Sequence, residues 1–90
     1  MELRQPVVIV HRAMEDGNGY KHRRISVDGQ VSTYYSLETI GTTYYVRYNN
    51  SKIDGSKDGY SCGYLTQAEA LAHAVNAIIR DREIDANCGA

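Results

Sequence analysis

Tight-turn signals divide the first half of this chain into short segments, and they constrain its fold more than any other feature. The signals lie at residues 16–19, 28–29 and 39–41, and each contains glycine. Glycine adopts the positive φ that two-residue hairpin turns require, and Asp28-Gly29 is the strongest hairpin signal in the chain. Because segments joined by such short turns run antiparallel to each other, we expect an antiparallel meander.

The segments between the turns have the composition of β-strands, being rich in Val, Ile, Thr and Tyr. The predicted strands are residues 6–13, 20–27, 30–38, 42–48 and, as a short fifth strand, 60–64. Side chains of the third and fourth strands alternate between two faces, which specifies their register. The alternation predicts one face with Val31, Thr33, Tyr35, Leu37, Tyr44, Val46 and Tyr48, and an opposite face with Tyr34, Tyr45 and Arg47.

One helix is predicted after the strands. Residues 66–69 read Thr-Gln-Ala-Glu, a capping box that begins a helix at Thr66. Leu71, Ala74, Val75, Ile78 and Ile79 recur at helical spacing, and Glu69, His73, Asn76 and Arg80 occupy the polar face opposite them. We expect the helix to end near Ile84.

The predicted elements add up to an α+β fold, an antiparallel meander of four to five strands with one C-terminal helix packed on one face. Ninety residues build one core, so residues 1–90 are expected to form a single domain, with fraying over 1–5 and 86–90. The other face of the sheet is then open to solvent, and binding is expected there.

All eight aromatic residues are tyrosine, which is unusual for a core built by packing alone. A phenol suits positions where one end is dry and the other is wet, because its hydroxyl needs a hydrogen-bond partner. Two interpretations stay open. Either a thin core leaves every ring partly exposed, or the tyrosines form a binding surface.

Charge and hydropathy exclude several classes of protein. The formal net charge is −1, which excludes a polyanion binder that works by bulk positive charge. No apolar run approaches the length of a membrane helix, and residues 1–6 have no signal-peptide pattern. We therefore expect a cytoplasmic protein with no membrane partner, in which Cys62 and Cys88 are free thiols.

The motifs that would indicate a metal, a cofactor or catalysis are incomplete. Residues 54–59 resemble the first half of a calcium loop, but the twelfth position is Leu65 instead of Glu. The cysteines and histidines are scattered, and no nucleophile elbow, phosphate loop or dinucleotide fingerprint occurs. We expect no catalytic residues, no metal and no cofactor.

The candidate partner-binding residues are tyrosines and cations on the predicted open face and its edge. They are Tyr34, Tyr45, Arg47, Arg24, Lys21, Arg23 and Arg12. Rigid phenols beside a guanidinium are typical of protein interfaces, whereas the basic cluster at 21–24 with Arg12 also suits single-stranded nucleic acid. A solvated strand edge guarded by basic residues is the third interpretation. We expect a protein partner first and nucleic acid second.

Part of the chain resembles small phage proteins. Residues 58–71, Asp-Gly-Tyr through Thr-Gln-Ala-Glu-Ala-Leu, are similar to an ending in which a last strand leads into a T-x-x-E-A helix start. With the tyrosine-rich meander before it, the resemblance covers residues 20–84 and is to anti-CRISPR proteins. It implies a non-enzymatic phage or mobile-element inhibitor that blocks a host defence complex. The alternatives are a sheet-based binder of single-stranded nucleic acid and an accessory subunit of a larger assembly.

Overall fold

Short antiparallel strands followed by one helix make up the chain, as the turn pattern predicts. The computed structural model describes residues 5–49 and 59–88, without the side chain of Cys88. The elements are β1 (Val8–Val10), β2 (Met14–Glu15), β3 (Tyr20–Arg23), β4 (Ile25–Val27), β5 (Gln30–Val31), β6 (Tyr35–Ile40), β7 (Thr43–Tyr48), β8 (Gly59–Tyr60) and α1 (Gln67–Cys88). The α+β class, the antiparallel pairing and the C-terminal helix are confirmed.

The strands form two sheets instead of a single meander. The first has the order β1-β4-β5 and the second β2-β3-β6-β7-β8, and all their pairs are antiparallel. Only Arg24 separates β3 from β4, so one run of chain, residues 20–27, contributes a strand to each sheet. The two sheets are therefore joined along this run.

A β-bulge separates the two sheets on the neighbouring run of chain. Val10 pairs with Ile25 and Met14 pairs with His22, so residues 11–13 face only residues 23–24 on the opposite strand. One extra residue of this kind bends a strand and increases its local twist. Beyond the bulge, Lys21 lies opposite Glu15.

The Asp28-Gly29 turn has the geometry that the sequence predicts. Asp28 has a φ of 53° and Gly29 a φ of 82°, as a type I′ turn requires. The turn joins β4 directly to β5, because Val27 pairs with Gln30. Asp28 also ties this hairpin to the chain before β1, since its carboxylate accepts a hydrogen bond from the Val7 N–H at 3.1 Å.

The prediction of one continuous third strand over residues 30–38 is wrong. β5 ends at Val31 and β6 begins at Tyr35, and the Ser32 hydroxyl between them accepts a hydrogen bond from the Tyr35 N–H at 3.2 Å. This local bond competes with strand pairing, so the chain turns and crosses from one sheet to the other. Val31 pairs with Ser26 and is exposed, whereas Tyr35 and Leu37 are buried as predicted.

The core lies between α1 and the central strands β6 and β7. Its most buried members are Ile25, Val27, Leu37, Val46, Ala70, Ala74 and Ile78. The alanines allow the helix to approach the sheet closely. The predicted capping box forms in part, because the Thr66 hydroxyl accepts from the Glu69 N–H at 3.2 Å and donates to the Glu69 carboxylate at 2.9 Å.

Two predicted boundaries need correction. The helix continues past Ile84 to Cys88, because neither glycine nor proline interrupts the sequence between Thr66 and Gly89. The predicted fifth strand, residues 60–64, is reduced to β8 and a single bridge between Tyr44 and Tyr64. In the part of the chain that is described, no helix has the length and apolar character needed to cross a membrane.

Candidate functional site

The helix covers one face of the sheets and leaves the other face open, and strand pairing assigns each side chain to a face. Tyr35, Leu37, Tyr44, Val46 and Tyr48 lie on the helix-covered face. The helix-free face carries Ile9, Met14, Tyr20, His22, Val31, Ser36, Glu38, Ile40, Tyr45, Arg47 and Tyr60. This second set of residues is called the helix-free face below.

A buried carboxylate lies at the centre of the helix-free face. The side chain of Glu38 is fully buried. Its Oε1 accepts hydrogen bonds from the Tyr20 hydroxyl at 2.7 Å and from Arg47 Nη1 at 2.9 Å. Its Oε2 is buried and has no hydrogen-bond partner among the described residues. The carboxylate thus holds a phenol and a guanidinium in fixed positions above the sheet.

The electrostatics of this cluster favour the charged form of Glu38. Burial raises the pKa of Glu38, but hydrogen bonding from Arg47 and Tyr20 and the nearby Tyr60 hydroxyl outweigh it, so the pKa lies below its ordinary 4.5. Burial, followed by the influence of the Glu38 carboxylate, raises the pKa of Tyr20 to about 12. Glu38 therefore stays ionised at neutral pH, and Tyr20 keeps its proton and donates a hydrogen bond to the carboxylate.

Aromatic rings extend the cluster toward β8. Tyr45 and Tyr60 meet edge to face with ring centroids 5.9 Å apart, and the Arg47 guanidinium lies 6.0 Å from the centroid of Tyr60. Gly63 lies against this group, since a Cβ at position 63 would stand 2.6 Å from Thr43 Cγ2 and 3.4 Å from the Tyr45 ring. A glycine is needed here because any larger residue would displace the side chains beside it.

Most of the exposed large apolar side chains also lie on the helix-free face. Eight large apolar residues are exposed in the described part of the chain, and five of them, Ile9, Met14, Val31, Ile40 and Tyr60, are on this face. Isolated exposed apolar residues are normal, but a concentration on one face is typical of an interaction surface.

A groove follows the β-bulge across the helix-free face. One hollow of about 270 Å³ is lined by His11, Arg12, Met14, His22, Arg24 and Val31. A second hollow of about 280 Å³ shares His22, Arg24 and Val31, and is completed by Ser32, Thr33, Ser36 and Asn49. Because three residues line both hollows, the hollows adjoin each other, and together they are called the bulge groove below.

Four of the seven predicted partner-binding residues belong to this region. Tyr45 and Arg47 lie on the helix-free face, as the alternation predicts, and Arg12 and Arg24 line the bulge groove beside them. The structure therefore brings together Tyr45 and Arg47 in one cluster, and Arg12 and Arg24 in an adjoining one.

The other three lie elsewhere. Lys21 is on the opposite side of its strand and pairs with Glu15 at 3.5 Å. Arg23 donates to the His11 carbonyl at 3.1 Å, within the bulge. Tyr34 is in the turn before β6, where it packs against the core and lines a small cavity beside α1. It does not face Tyr45, because the predicted third strand is broken.

On the helix-covered face, two tyrosine hydroxyls contact a histidine of the helix. His73 lies between two phenols, with Nδ1 2.6 Å from the Tyr64 hydroxyl and Nε2 3.0 Å from that of Tyr48. His73, which the helical spacing assigns to the polar face, is therefore partly buried. Burial, together with the positive charge of Arg80, lowers the pKa of His73, which favours its neutral form.

Two serine–histidine contacts raise the question of catalysis. His11 Nε2 lies 2.6 Å from Ser26 Oγ, and His22 Nε2 lies 3.0 Å from Ser36 Oγ. Both serines are buried, and no carboxylate of a described residue bonds to the second nitrogen of either ring. A nucleophile, base and orienting group are therefore not assembled here. Among the described residues, no cluster of three or more histidine, cysteine and acidic side chains has the arrangement of a metal site.

The calcium-like segment, residues 54–59, lies outside the described residues except for Gly59.

Sequence reasoning missed Glu38 and the bulge groove. The signal for Glu38 was present, since alternation places it on the same face as Arg47, across a tight turn from it. The bulge had no such signal, because no glycine marks the extra residue at positions 11–13.

Comparison of the chain with protein-family models, with curated proteins and with solved structures finds no match in any of the three.

Proposed function

We propose that this protein is a non-enzymatic binding module whose helix-free face docks onto a partner protein. The observation that carries the proposal is the gathering of five exposed large apolar side chains on the sheet face that the helix leaves open. A free sheet face in contact with water ordinarily carries polar residues. Covering the apolar side chains with a partner would remove them from water, which favours association.

The Glu38 cluster supports the same proposal. Arg47 and Tyr20 are held by one buried carboxylate, and Tyr45 and Tyr60 contact each other edge to face. Side chains that are already fixed lose little conformational entropy on binding, so such a group provides affinity at low cost. Tyrosine and arginine are also the residue types that dominate binding energy at protein interfaces.

The kind of partner follows from the resemblance noted in the sequence. A likeness to anti-CRISPR proteins predicts a host defence complex, and that identity stays a prediction. Nucleic acid is the competing partner, because Arg12 and Arg24 lie on the same face. Nuclease treatment and salt distinguish the two, since phosphate binding weakens steeply as ionic strength rises.

The test is a pull-down from host lysate, with and without nuclease, using a pair of matched double variants. Met14→Ser with Ile40→Ser removes two exposed apolar side chains from the helix-free face. Leu65→Ser with Ile84→Ser removes two exposed apolar side chains that lie elsewhere. Both variants should melt within a few degrees of the wild type, because exposed positions contribute little to stability.

The wild type and the Leu65/Ile84 variant are expected to retain a protein partner after nuclease treatment. The Met14/Ile40 variant is expected to bind it at least about tenfold more weakly, as the loss of two apolar anchors implies. Retention by the Met14/Ile40 variant, or disappearance of the partner on nuclease treatment, would overturn the proposal.

A further inference from the structure

We propose that the bulge groove binds an acidic segment of the partner protein, whose carboxylates pair with Arg12 and Arg24 while its apolar side chains contact Met14 and Val31. This inference rests on the proposed function and adds to it the chemistry of the bound segment.

The charge of the groove is of one sign. Its charged lining residues are Arg12 and Arg24, and no acidic residue is among its described lining residues. The central carboxylate of the face, Glu38, is buried and already paired with Arg47. A ligand in the groove therefore meets guanidinium groups that no carboxylate of the lining neutralises, and electrostatic complementarity selects an anion.

The two groove arginines differ from the other described arginines. The side chains of Arg23, Arg47, Arg80 and Arg82 all make hydrogen bonds within the chain. Those of Arg12 and Arg24 are exposed and make no hydrogen bond or ion pair with a described residue. A guanidinium presents a planar fork of donors that matches a carboxylate with two parallel hydrogen bonds. No described residue therefore competes with a partner for either guanidinium group.

The apolar part of the lining favours a peptide over a nucleic acid. Met14 is 58% exposed and Val31 is 42% exposed, and both lie beside the arginines. A phosphodiester backbone gains nothing from such neighbours, whereas a peptide that alternates acidic and apolar residues contacts both kinds of group. The observations therefore favour an acidic protein segment.

The experiment measures binding of three labelled probes to the full chain by fluorescence anisotropy. The first probe is a twelve-residue peptide in which glutamate alternates with leucine and valine. The second has glutamine in place of every glutamate, and the third is a twelve-nucleotide oligothymidylate. The variants are Arg24→Gln and Arg12→Gln, and the control is Lys21→Gln, a cation on the opposite face that pairs with Glu15.

The glutamate peptide is expected to bind the wild type, and each groove variant is expected to weaken its binding about two- to fivefold, as the loss of one partly exposed charge pair implies. Lys21→Gln should change the affinity less than about twofold. The melting temperature of each variant verifies its fold, and either arginine variant alone suffices if the other is unstable.

Three outcomes would overturn the inference: no binding of the glutamate peptide, equal binding of the glutamine peptide, or tighter binding of the oligothymidylate. These outcomes are separate from failure of the proposed function. Suppose that the Met14→Ser, Ile40→Ser variant loses its protein partner, but the wild type does not bind the glutamate peptide. The proposal of a docking face would then stand, and the proposal of an acidic ligand would be refuted.

Discussion

Both faces of the sheet carry tyrosines, but the hydroxyls of these tyrosines find their hydrogen-bond partners in different places. On the helix-covered face, Tyr35 donates to Asp81 of α1 at 2.6 Å, and Tyr48 and Tyr64 contact His73. On the helix-free face, Tyr20 bonds to Glu38, while the Tyr45 hydroxyl makes no hydrogen bond with a described residue. The helix provides polar partners for one face, and strand neighbours provide them for the other.

The comparison explains why a chain without phenylalanine or tryptophan folds around tyrosine. A phenol in a thin core places its ring in the apolar layer and its hydroxyl at a partner on the helix. The same residue on the open face leaves its ring available to another molecule. The ring of Tyr35 is buried, so the interpretation in which every ring is partly exposed is wrong, and a binding role for the rings of the open face stays a prediction.

The two faces are expected to differ most in how much an isoleucine side chain contributes to stability, because its burial differs between them. Ile78 of α1 is buried and Ile40 of β6 is half exposed. We expect Ile78→Ala to lower the free energy of unfolding by about 2–4 kcal/mol, through lost burial and the cavity left behind. Ile40→Ala should change it by less than about 0.5 kcal/mol. Urea denaturation of both variants measures the difference, and equal effects would contradict the assignment of the faces.

The arginines of the helix-free face provide a second contrast. Arg47→Ala leaves the buried Glu38 carboxylate without its cation, so a loss of about 1–3 kcal/mol is expected. Arg24→Ala removes a cation that pairs with no described residue, and a change below about 0.5 kcal/mol is expected. Denaturant titrations at neutral pH compare the two. If Arg47→Ala left the free energy of unfolding unchanged, the ion pair of the Glu38 cluster would contribute nothing to stability.

Removing a single hydroxyl from each face has a smaller expected effect. Tyr35→Phe deletes one hydrogen-bond donor to the buried Asp81 carboxylate and should cost about 1–2 kcal/mol. Tyr45→Phe deletes a hydroxyl without a described partner and should change stability by less than about 0.5 kcal/mol. Thermal melts of both variants measure the difference, and the opposite ranking would contradict the comparison.

The smallest expected effect is a loss of folding stability at acidic pH. The folded pKa of Glu38 lies below its ordinary value of 4.5, so its contribution is fully present above about pH 4.5 and is lost as the pH falls through the folded pKa. Glu38→Gln should therefore flatten the acid side of the stability profile. Melting temperatures measured from neutral pH down through the acid range test this, and an unchanged slope would contradict it.

The sequence predicted the elements whose signals are local. The positive φ values at Asp28 and Gly29, the Thr66 cap and the placement of Tyr45 and Arg47 on one face all follow from residues close in the chain. The α+β class followed from these signals, because short turns require antiparallel strands.

Features that depend on competition between distant segments were not predicted. The bulge at residues 11–13 arises where two pairings differ by one residue, and neither strand shows it alone. The break at Ser32 follows from a side-chain bond that replaces strand pairing. His73 belongs to the helical face that reads as polar, and only the positions of Tyr48 and Tyr64 explain why it is half buried.

The central claim is that the helix-free face, and not the helix or the loops, is the surface that a partner protein covers. Hydroxyl-radical footprinting of the complex recovered by pull-down, compared with the free protein, tests it most directly. We predict lower modification of Met14, Ile40 and Tyr60 in the complex, with unchanged modification of Leu65 and Ile84. Protection of Leu65 and Ile84 while the three face residues stay reactive would contradict the account.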